Sequence, residues 1–287
     1  MSVADLAGKT AIVTGATAGI GRATAVALCA RGVRVHLACR SEEKTRPALD
    51  ELRRAHGDGA AAFLPLDLAD LASVRTAAQR FLDGGEPLHL LINNAGVAGI
   101  RGLTKDGFEL TFGTNHLGHF LFTLLLLDRL KASAPGRIVH VSSKSHGLAR
   151  GIPFHRLRRR TGPLLMFDYG VSKLANNLFS AELARRLQGS GVTSYAVHPG
   201  VVMSEIWRPM PSWMRPLWFR LRGMVTNEQG ARTSLYCATS PQVEGHSGRY
   251  YADEREVTPS RASQDAALAR RLWEWSEQAC GLPTSAP

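Results

Sequence analysis

The stretch Thr10-Ala-Ile-Val-Thr14-Gly15-Ala-Thr17-Ala-Gly19-Ile20-Gly21 carries the fold. A short apolar, β-prone run passes directly into three closely spaced glycines, and an Ala-rich amphipathic segment continues to about Ala30. After Gly32 a second β-prone run covers Val33 to Ala38. Strand, glycine-rich turn, helix and strand in that order make a βαβ unit. Glycines in such a turn let the backbone approach a pyrophosphate at the helix N-terminus, so the segment predicts a dinucleotide site. The alternation continues with a helix around Glu42 to Ala55, a strand at Ala61 to Leu66, a helix near Leu71 to Leu82 and a strand at Leu88 to Ile92. Next come a helix from about Asp106 to Lys131, a strand at Arg137 to Ser142, a helix starting near Tyr169 and a strand at Val192 to Val197. Short continuous apolar strands between helices predict a parallel sheet covered on both faces. The expected fold is therefore α/β, a single doubly wound Rossmann-type domain over residues 1–287 with about seven strands.

Composition supports this reading. With 287 residues and 44% hydrophobic content the chain can bury a large core. No linker-like stretch or internal repeat interrupts it, and only Leu282 to Pro287 reads as a flexible tail. Cys29, Cys39, Cys237 and Cys280 are scattered without metal-ligand spacing, so they read as reduced, mostly buried thiols and no metal is expected. His140, His146, His155 and His198 are not spaced as ligands either, and structural roles are expected for them. A net charge of +11 raises nucleic acid as a partner. The excess arginines cluster at 150–160 and 208–222, neither interleaving aromatics in the manner of a single-strand binder, which argues against nucleic-acid binding and for solvated loops or loops facing anionic lipid. No signal-like segment opens the sequence, and the apolar run Phe120 to Leu127 is too short to span a bilayer. A cytoplasmic protein is expected.

Tyr169 and Lys173 stand four residues apart, about one helical turn, so a helix there places phenol and ammonium on one face. A fixed cation favours the phenolate and would bring the tyrosine toward proton exchange near neutral pH. Cofactor choice is read at the end of the second strand. An Asp or Glu there would accept hydrogen bonds from a ribose 2′-hydroxyl, but the chain has Cys39-Arg40. The Arg40 guanidinium can pair with a 2′-phosphate, and Arg22 just after Gly21 would add to the positive field. NADP(H) is the expected cofactor.

The spacing Gly15-x-x-x-Gly19-x-Gly21 resembles the TGxxxGxG signature of the short-chain dehydrogenase/reductase family. Further motifs of that family follow in order: Asp67-Leu68, Asn93-Asn94-Ala95-Gly96, Asn115, Ser142-Ser143, Tyr169 with Lys173, and Pro199-Gly200. Longer blocks resemble its retinol dehydrogenase branch: Asn115-His-Leu-Gly-His-Phe120, Ile152-Pro-Phe-His155, Ser172-Lys-Leu-Ala-Asn176 and Tyr195-Ala-Val-His-Pro-Gly-Val-Val202. The resemblance implies an oxidoreductase in which Tyr169 is the general acid in carbonyl reduction and the general base in alcohol oxidation. Lys173 would lower the Tyr169 pKa and bind the nicotinamide ribose, and Ser143 would hold the substrate oxygen, with Ser142 as the alternative serine. The Asn115 backbone carbonyl would hold a water linking Lys173 to solvent. Asp67 would contact the adenine, Asn94 would line the cofactor groove, and the motif residues Thr17, Ile20, Leu68, Ala95, Gly96, Pro199, Gly200 and Val202 would complete it. The 26-residue step from Ser143 to Tyr169 contains an insertion, Gly151 to Thr161, that the branch shares. Family members commonly pair through the helices flanking Asn115 and Tyr169, which implies a homodimer.

Between Pro199-Gly200 and a helix beginning near Asn227 lies a segment, 203–226, with Trp207, Trp213, Trp218, Phe219 and several arginines. By the resemblance it covers the substrate, and its apolar bulk implies a lipophilic aldehyde, ketone or alcohol, with retinoids as the reference. Arginines among aromatics would also suit peripheral contact with a membrane interface. The same site would serve a tailoring ketoreductase of bacterial secondary metabolism. A cofactor-sensing regulator without turnover is disfavoured, because Tyr169 and Lys173 are both present.

Overall fold

The computed structural model describes residues 6–161, 165–200 and 225–283. The expected contributions of Val202 and of most of the 203–226 segment therefore lie outside the described residues. Eight strands form one sheet: β1 (Thr10–Thr14), β2 (Arg34–Cys39), β3 (Ala61–Pro65), β4 (Leu90–Asn93), β5 (Gly136–Val141), β6 (Val192–His198), β7 (Tyr250–Ala252) and β8 (Arg255–Glu256). Their order is β3-β2-β1-β4-β5-β6-β7-β8. The first seven are parallel neighbours, and only the two-residue β8 runs antiparallel, on the edge beyond β7. All five residues of β1 are buried, as a strand covered on both faces requires.

The helices are α1 (Gly19–Cys29), α2 (Glu42–His56), α3 (Leu71–Asp83), α4 (Leu110–Ala132), α5 (Leu165–Arg186), α6 (Asn227–Thr239) and α7 (Ala266–Ala279). Two apolar clusters show that helices cover both faces of the sheet. One joins Val74 and Phe81 of α3, Leu121 of α4, Leu174 of α5 and Trp273 of α7. The other joins Leu28 of α1, Leu49 of α2 and Cys237 of α6. The strand order reverses between β1 and β4, and in such sheets ligands bind at the carboxyl ends of the strands flanking that switch.

Several boundaries differ from expectation. α4 begins at Leu110, because the buried Glu109 carboxylate accepts from the Thr111 and Phe112 amides and so caps the helix there. α5 begins at Leu165, so Tyr169 stands on its second turn and not at its start. β7, β8 and α7 went unforeseen. Leu282 was expected in a flexible tail, but its amide donates to the Glu277 carbonyl at 2.9 Å and its side chain packs on the core, which continues α7 into a hydrogen-bonded turn.

Candidate active site

The motif residues arrive at one end of the sheet because each follows the carboxyl end of a parallel strand. Gly15 follows β1, Arg40 β2, Asp67 β3, Asn94 to Gly96 β4, Ser142 and Ser143 β5, and Pro199 with Gly200 β6. Gly15 and Gly19 adopt φ of 68° and 62°, a region costly for any side chain. A Cβ on Gly15 would also lie 2.9 Å from the Ala95 Cα, and one on Gly21 would collide with the Gly15 carbonyl and meet Asn94 Nδ2 at 2.5 Å. The Asn94 amide donates at 2.8 Å to the Thr14 carbonyl, so the turns after β1 and β4 interlock. The first turn of α1 has no side-chain cap and no acidic residue. Its amide hydrogens are left for an anion, as a pyrophosphate site requires. Beside Gly19 the Asn227 Oδ1 is buried without a hydrogen-bond partner among the described residues, a further polar atom at the groove. These features fit a dinucleotide.

The groups expected around the adenosine are less uniform. Arg40 is exposed and makes no ion pair among the described residues, so its guanidinium is available. Arg22 was expected to reinforce it, but its guanidinium is paired with the Glu51 carboxylate of α2. Two half-exposed opposite charges on neighbouring helices meet there. Thr17 Oγ1 lies 3.2 Å from Thr45 Oγ1 on α2. Asp67 accepts from the Ala69 amide at 3.0 Å, and the buried Leu68 packs under Gly118 of α4.

The two serines after β5 separate clearly. Ser142 is buried and donates to the Lys173 carbonyl at 2.9 Å, a bond that ties the strand to α5. Ser143 stands beside Tyr169, near enough to favour its ionised form, and its Oγ donates to Ser145 Oγ at 3.3 Å. Its Oγ also accepts from the Ser145 amide at 3.2 Å. Lys173 is buried behind Tyr169, with Nζ 5.5 Å from the centre of the tyrosine ring. That ammonium donates to the Val141 carbonyl at 2.8 Å. A Cβ on Gly96 would come within 3.4 Å of it, so glycine keeps the space over Lys173 open.

Lys173 was expected to lower the Tyr169 pKa, and in the structure the balance runs the other way. Burial raises the phenol, and the Ser143 hydroxyl only partly opposes it. Burial also pulls Lys173 down to about 8. The physical reason is placement: the ammonium is bonded to Val141 and not to the phenol oxygen.

Asn115 lies in a π-helical turn, Gly113–Leu117, inside α4. π-turns often mark functional positions because they shift carbonyls out of the regular ladder. Its side-chain amide clasps Val97, accepting from the amide at 2.8 Å and donating to the carbonyl at 2.9 Å, and it donates to Ser172 Oγ at 3.0 Å. It therefore links the turn after β4 to α5 one residue before Lys173. Its backbone carbonyl was expected to carry a water, but already accepts a hydrogen bond from His119 Nδ1 at 3.0 Å. His119 was not anticipated. Its only sequence signal was its place one helical turn after Asn115.

The pairing surface expected for a homodimer is also differently used. α7 of the same chain packs on both helices concerned, with Trp273 against Phe120 of α4 at 5.2 Å and Phe179 of α5 at 5.8 Å. Ser276 of α7 reaches His116 at 3.1 Å.

A dinucleotide-shaped turn at the sheet's switch point beside a Ser-Tyr-Lys group defines a nicotinamide-dependent oxidoreductase site. A family model for short chain dehydrogenase matches residues 9–215, and the chain belongs to that family. Within it the chain sits in the retinol dehydrogenase-like branch. It is 47% identical over 284 residues to human retinol dehydrogenase 11, covering 98% of this chain and 89% of the relative. It is 46% identical over 281 residues to mouse retinol dehydrogenase 12, covering 97% and 88%. Among solved structures, an uncharacterised protein from Mycobacterium paratuberculosis superposes with a TM-score of 0.78 at 36% identity, covering 100% and 99% of the two chains. An actinorhodin polyketide ketoreductase solved with NADPH superposes at 0.67 with 25% identity, covering 85% and 95%. The chain is thus an oxidoreductase that interconverts carbonyl and alcohol groups.

Proposed function

We propose that the enzyme is NADP(H)-dependent and acts on a bulky apolar aldehyde, ketone or alcohol, with retinal and retinol as the reference pair. The observation that carries this reading is the convergence of Ser143, Tyr169 and the buried Lys173, whose ammonium lies 5.5 Å from the centre of the tyrosine ring. Bound nicotinamide supplies or accepts the hydride. Ser143 holds the substrate oxygen, and Tyr169 gives it a proton during reduction. A phenol that burial keeps protonated at neutral pH suits that donor role. Lys173 holds positive charge beneath the phenol, and Asn115 fixes the backbone on which proton exchange with solvent depends. Gly15, Gly19, Gly21, Asn94 and Gly96 shape the groove. We assign the adenosine 2′-phosphate to Arg40, supported by its exposure and by the absence of a carboxylate at the end of β2.

The likeness to retinol dehydrogenases supports a lipophilic substrate, and that to a polyketide ketoreductase keeps a tailoring ketoreductase as the second reading. In our reading the protein is cytoplasmic. Supporting this, α4 is apolar and long enough to span a bilayer, yet 78% of its most apolar window is buried in the fold. Any membrane contact would then be peripheral, through the 203–226 segment.

The deciding test is NADPH consumption across aldehydes and ketones of graded size, with retinal among them. Turnover should rise with apolar bulk and vanish in Tyr169→Phe, while NADPH binding persists. Equal activity of the variant would overturn the assignment. Arg40→Asp should weaken NADPH binding by about 1–3 kcal/mol, the worth of a charge-assisted pair, and move preference toward NADH. An unmoved preference would remove Arg40 from the site.

A further inference from the structure

His119 is 1% exposed, and every hydrogen around it is assigned by chemistry. A peptide carbonyl only accepts, so the Nδ1 nitrogen 3.0 Å from the Asn115 oxygen must carry the hydrogen. The opposite tautomer would set two acceptors against each other. The ring is neutral near physiological pH: burial chiefly, and the nearby Lys173 ammonium in addition, pull it to about 4 against the raising effect of the Asn115 bond. A neutral ring with hydrogen on Nδ1 leaves Nε2 bare, so the Thr14 hydroxyl, 2.9 Å away, donates to it. The Ile92 carbonyl, at 3.4 Å from the same hydroxyl, is the longer alternative. The Thr14 oxygen in turn accepts from the Asn94 and Ala95 amides, both at 2.9 Å.

The result is one directed chain of hydrogen bonds. It runs from the Asn94 and Ala95 amides to Thr14, from Thr14 to His119, and from His119 to the Asn115 carbonyl. Its members come from the end of β1, the turn after β4 and the π-turn of α4. Those are the cofactor turn, the turn whose Gly96 lies against Lys173, and the residue whose carbonyl the reading above places on the proton path. Bonds in such a series polarise one another and fix one geometry. No packing requirement calls for imidazole here, since a phenyl ring would fill similar space with no polar atom to satisfy.

We propose that His119 is a positioning residue for the reaction, which through Thr14 and in its Nδ1–H tautomer locks the Asn115 carbonyl to the cofactor-binding turns. It rests on the reading of Tyr169, Lys173 and Asn115 given above. His119 touches neither substrate nor cofactor. It acts by holding the Asn115 carbonyl in one direction and by occupying one of its two acceptor positions, which leaves a single position for proton exchange with the solvent side.

The tautomer is tested on the unmodified protein. Nitrogen-15 shifts of the His119 ring should show a protonated Nδ1 and a bare Nε2 near neutral pH; a protonated Nε2 would overturn the proposal whatever the variants do. Kinetics then test the function. His119→Phe keeps the ring's shape without its bonds and should lower kcat roughly 10- to 100-fold, as expected for a misplaced catalytic element, with the KM for NADPH within about twofold. His119→Gln offers an amide that can both accept from Thr14 and donate to Asn115, and should recover most of that loss. A folded Phe variant at wild-type kcat, or a folded Gln variant as slow as Phe, would show that the bonds do not matter to catalysis. If the unmodified protein turned over no carbonyl substrate while the nitrogen shifts agreed, the functional reading would fall and the hydrogen-bond chain would stand.

Discussion

Around Gly15 the chain is held by backbone atoms and short polar side chains, whereas around Trp275 it is held by aromatic rings from distant segments. On the first side, Asn94 Nδ2 grips the Thr14 carbonyl, Thr14 Oγ1 gathers two amides, and glycines let turns approach within van der Waals contact. On the second, Trp275 of α7 meets Phe108 at 6.0 Å, Phe112 at 5.8 Å and Phe154 of the insertion at 5.9 Å. Arg158 of the insertion lies 4.2 Å over Phe108, and Arg271 of α7 lies 4.6 Å over Phe154. Hydrogen-bonded turns fix atoms to a few tenths of an ångström, which hydride transfer needs. Ring contacts tolerate more variation while burying more area.

Three buried histidines lie at the seam of the two regions, and they give the largest expected effect. His119 bonds toward the cofactor turn, His116 toward Ser276 of α7, and His140 stands beside Asn93 and Phe179. Burial lowers all three, His116 to about 3, His119 to about 4 and His140 to about 3. The folded state thus keeps them neutral at a pH where the unfolded chain, at an ordinary 6.5, binds protons. More protons bound by the unfolded state means stability falls as pH drops through 6.5. Because every folded value lies below 5, the loss by pH 5 is set by the unfolded chain alone, at about 2 kcal/mol per ring and about 6 kcal/mol together. That is comparable to the whole stability of many domains. Titration from pH 7 to 5 should therefore unfold the ligand-free protein, with tryptophan near-ultraviolet signal and NADPH binding lost together. Loss of binding at a pH where the tryptophan signal persists would show that the two regions separate.

The same contrast governs what could be read in advance. The cofactor side was legible because its determinants are short motifs in fixed places after strands: Gly15 to Gly21, Asn93 to Gly96, Ser142-Ser143 and Tyr169 with Lys173. Even there the pairing of Arg22 with Glu51 was hidden, since it depends on how α1 lies against α2. His119 was missed because its meaning comes from Thr14, over one hundred residues earlier. The aromatic side was almost invisible. α7 carries buried Ala269, Leu272, Trp273 and Ser276 at helical spacing, but nothing local says that this face covers α4 and α5. The insertion's arginines read as solvated, and the role of Arg158 emerges only when Phe108 comes into view beneath it.

Breaking the aromatic side directly should cost less than the full acid effect and leave the cofactor side intact. Trp273 is 4% exposed and contacts Phe120, Phe179 and the Arg186 guanidinium. Trp273→Ala should destabilise the protein by about 3–5 kcal/mol, from lost burial and the cavity left behind. Its indole also donates to Glu277 at 2.6 Å, so the variant leaves a buried carboxylate with one partner fewer. Denaturant titration measures the loss. NADPH affinity of the remaining folded protein should stay within about twofold, and a larger change would mean that α7 shapes the cofactor groove.

The smallest of the three effects has the opposite sign, and it separates what holds the protein together from what the reaction requires. Lys173 is held at about 8 when folded against 10.5 in the unfolded chain, because burial disfavours its charge. That difference corresponds to about 3 kcal/mol of destabilisation at pH 7, where both states carry the proton and the folded state must bury it. Between pH 8 and 10.5 the unfolded chain retains a proton that the folded one has released, so the cost declines as pH rises through that window. Lys173→Met fills similar space without charge, and the Val141 carbonyl it abandons keeps the Asn176 amide at 3.3 Å. The variant should therefore be more stable than the unmodified protein by about 3 kcal/mol at pH 7, with the advantage fading toward pH 10.5, and it should be inactive. Thermal unfolding from pH 7 to 10.5 checks both sign and window. A stabilised, inactive variant would show that the cofactor side keeps Lys173 at the expense of the fold, while the aromatic side around α7 supplies the stability that makes it tolerable.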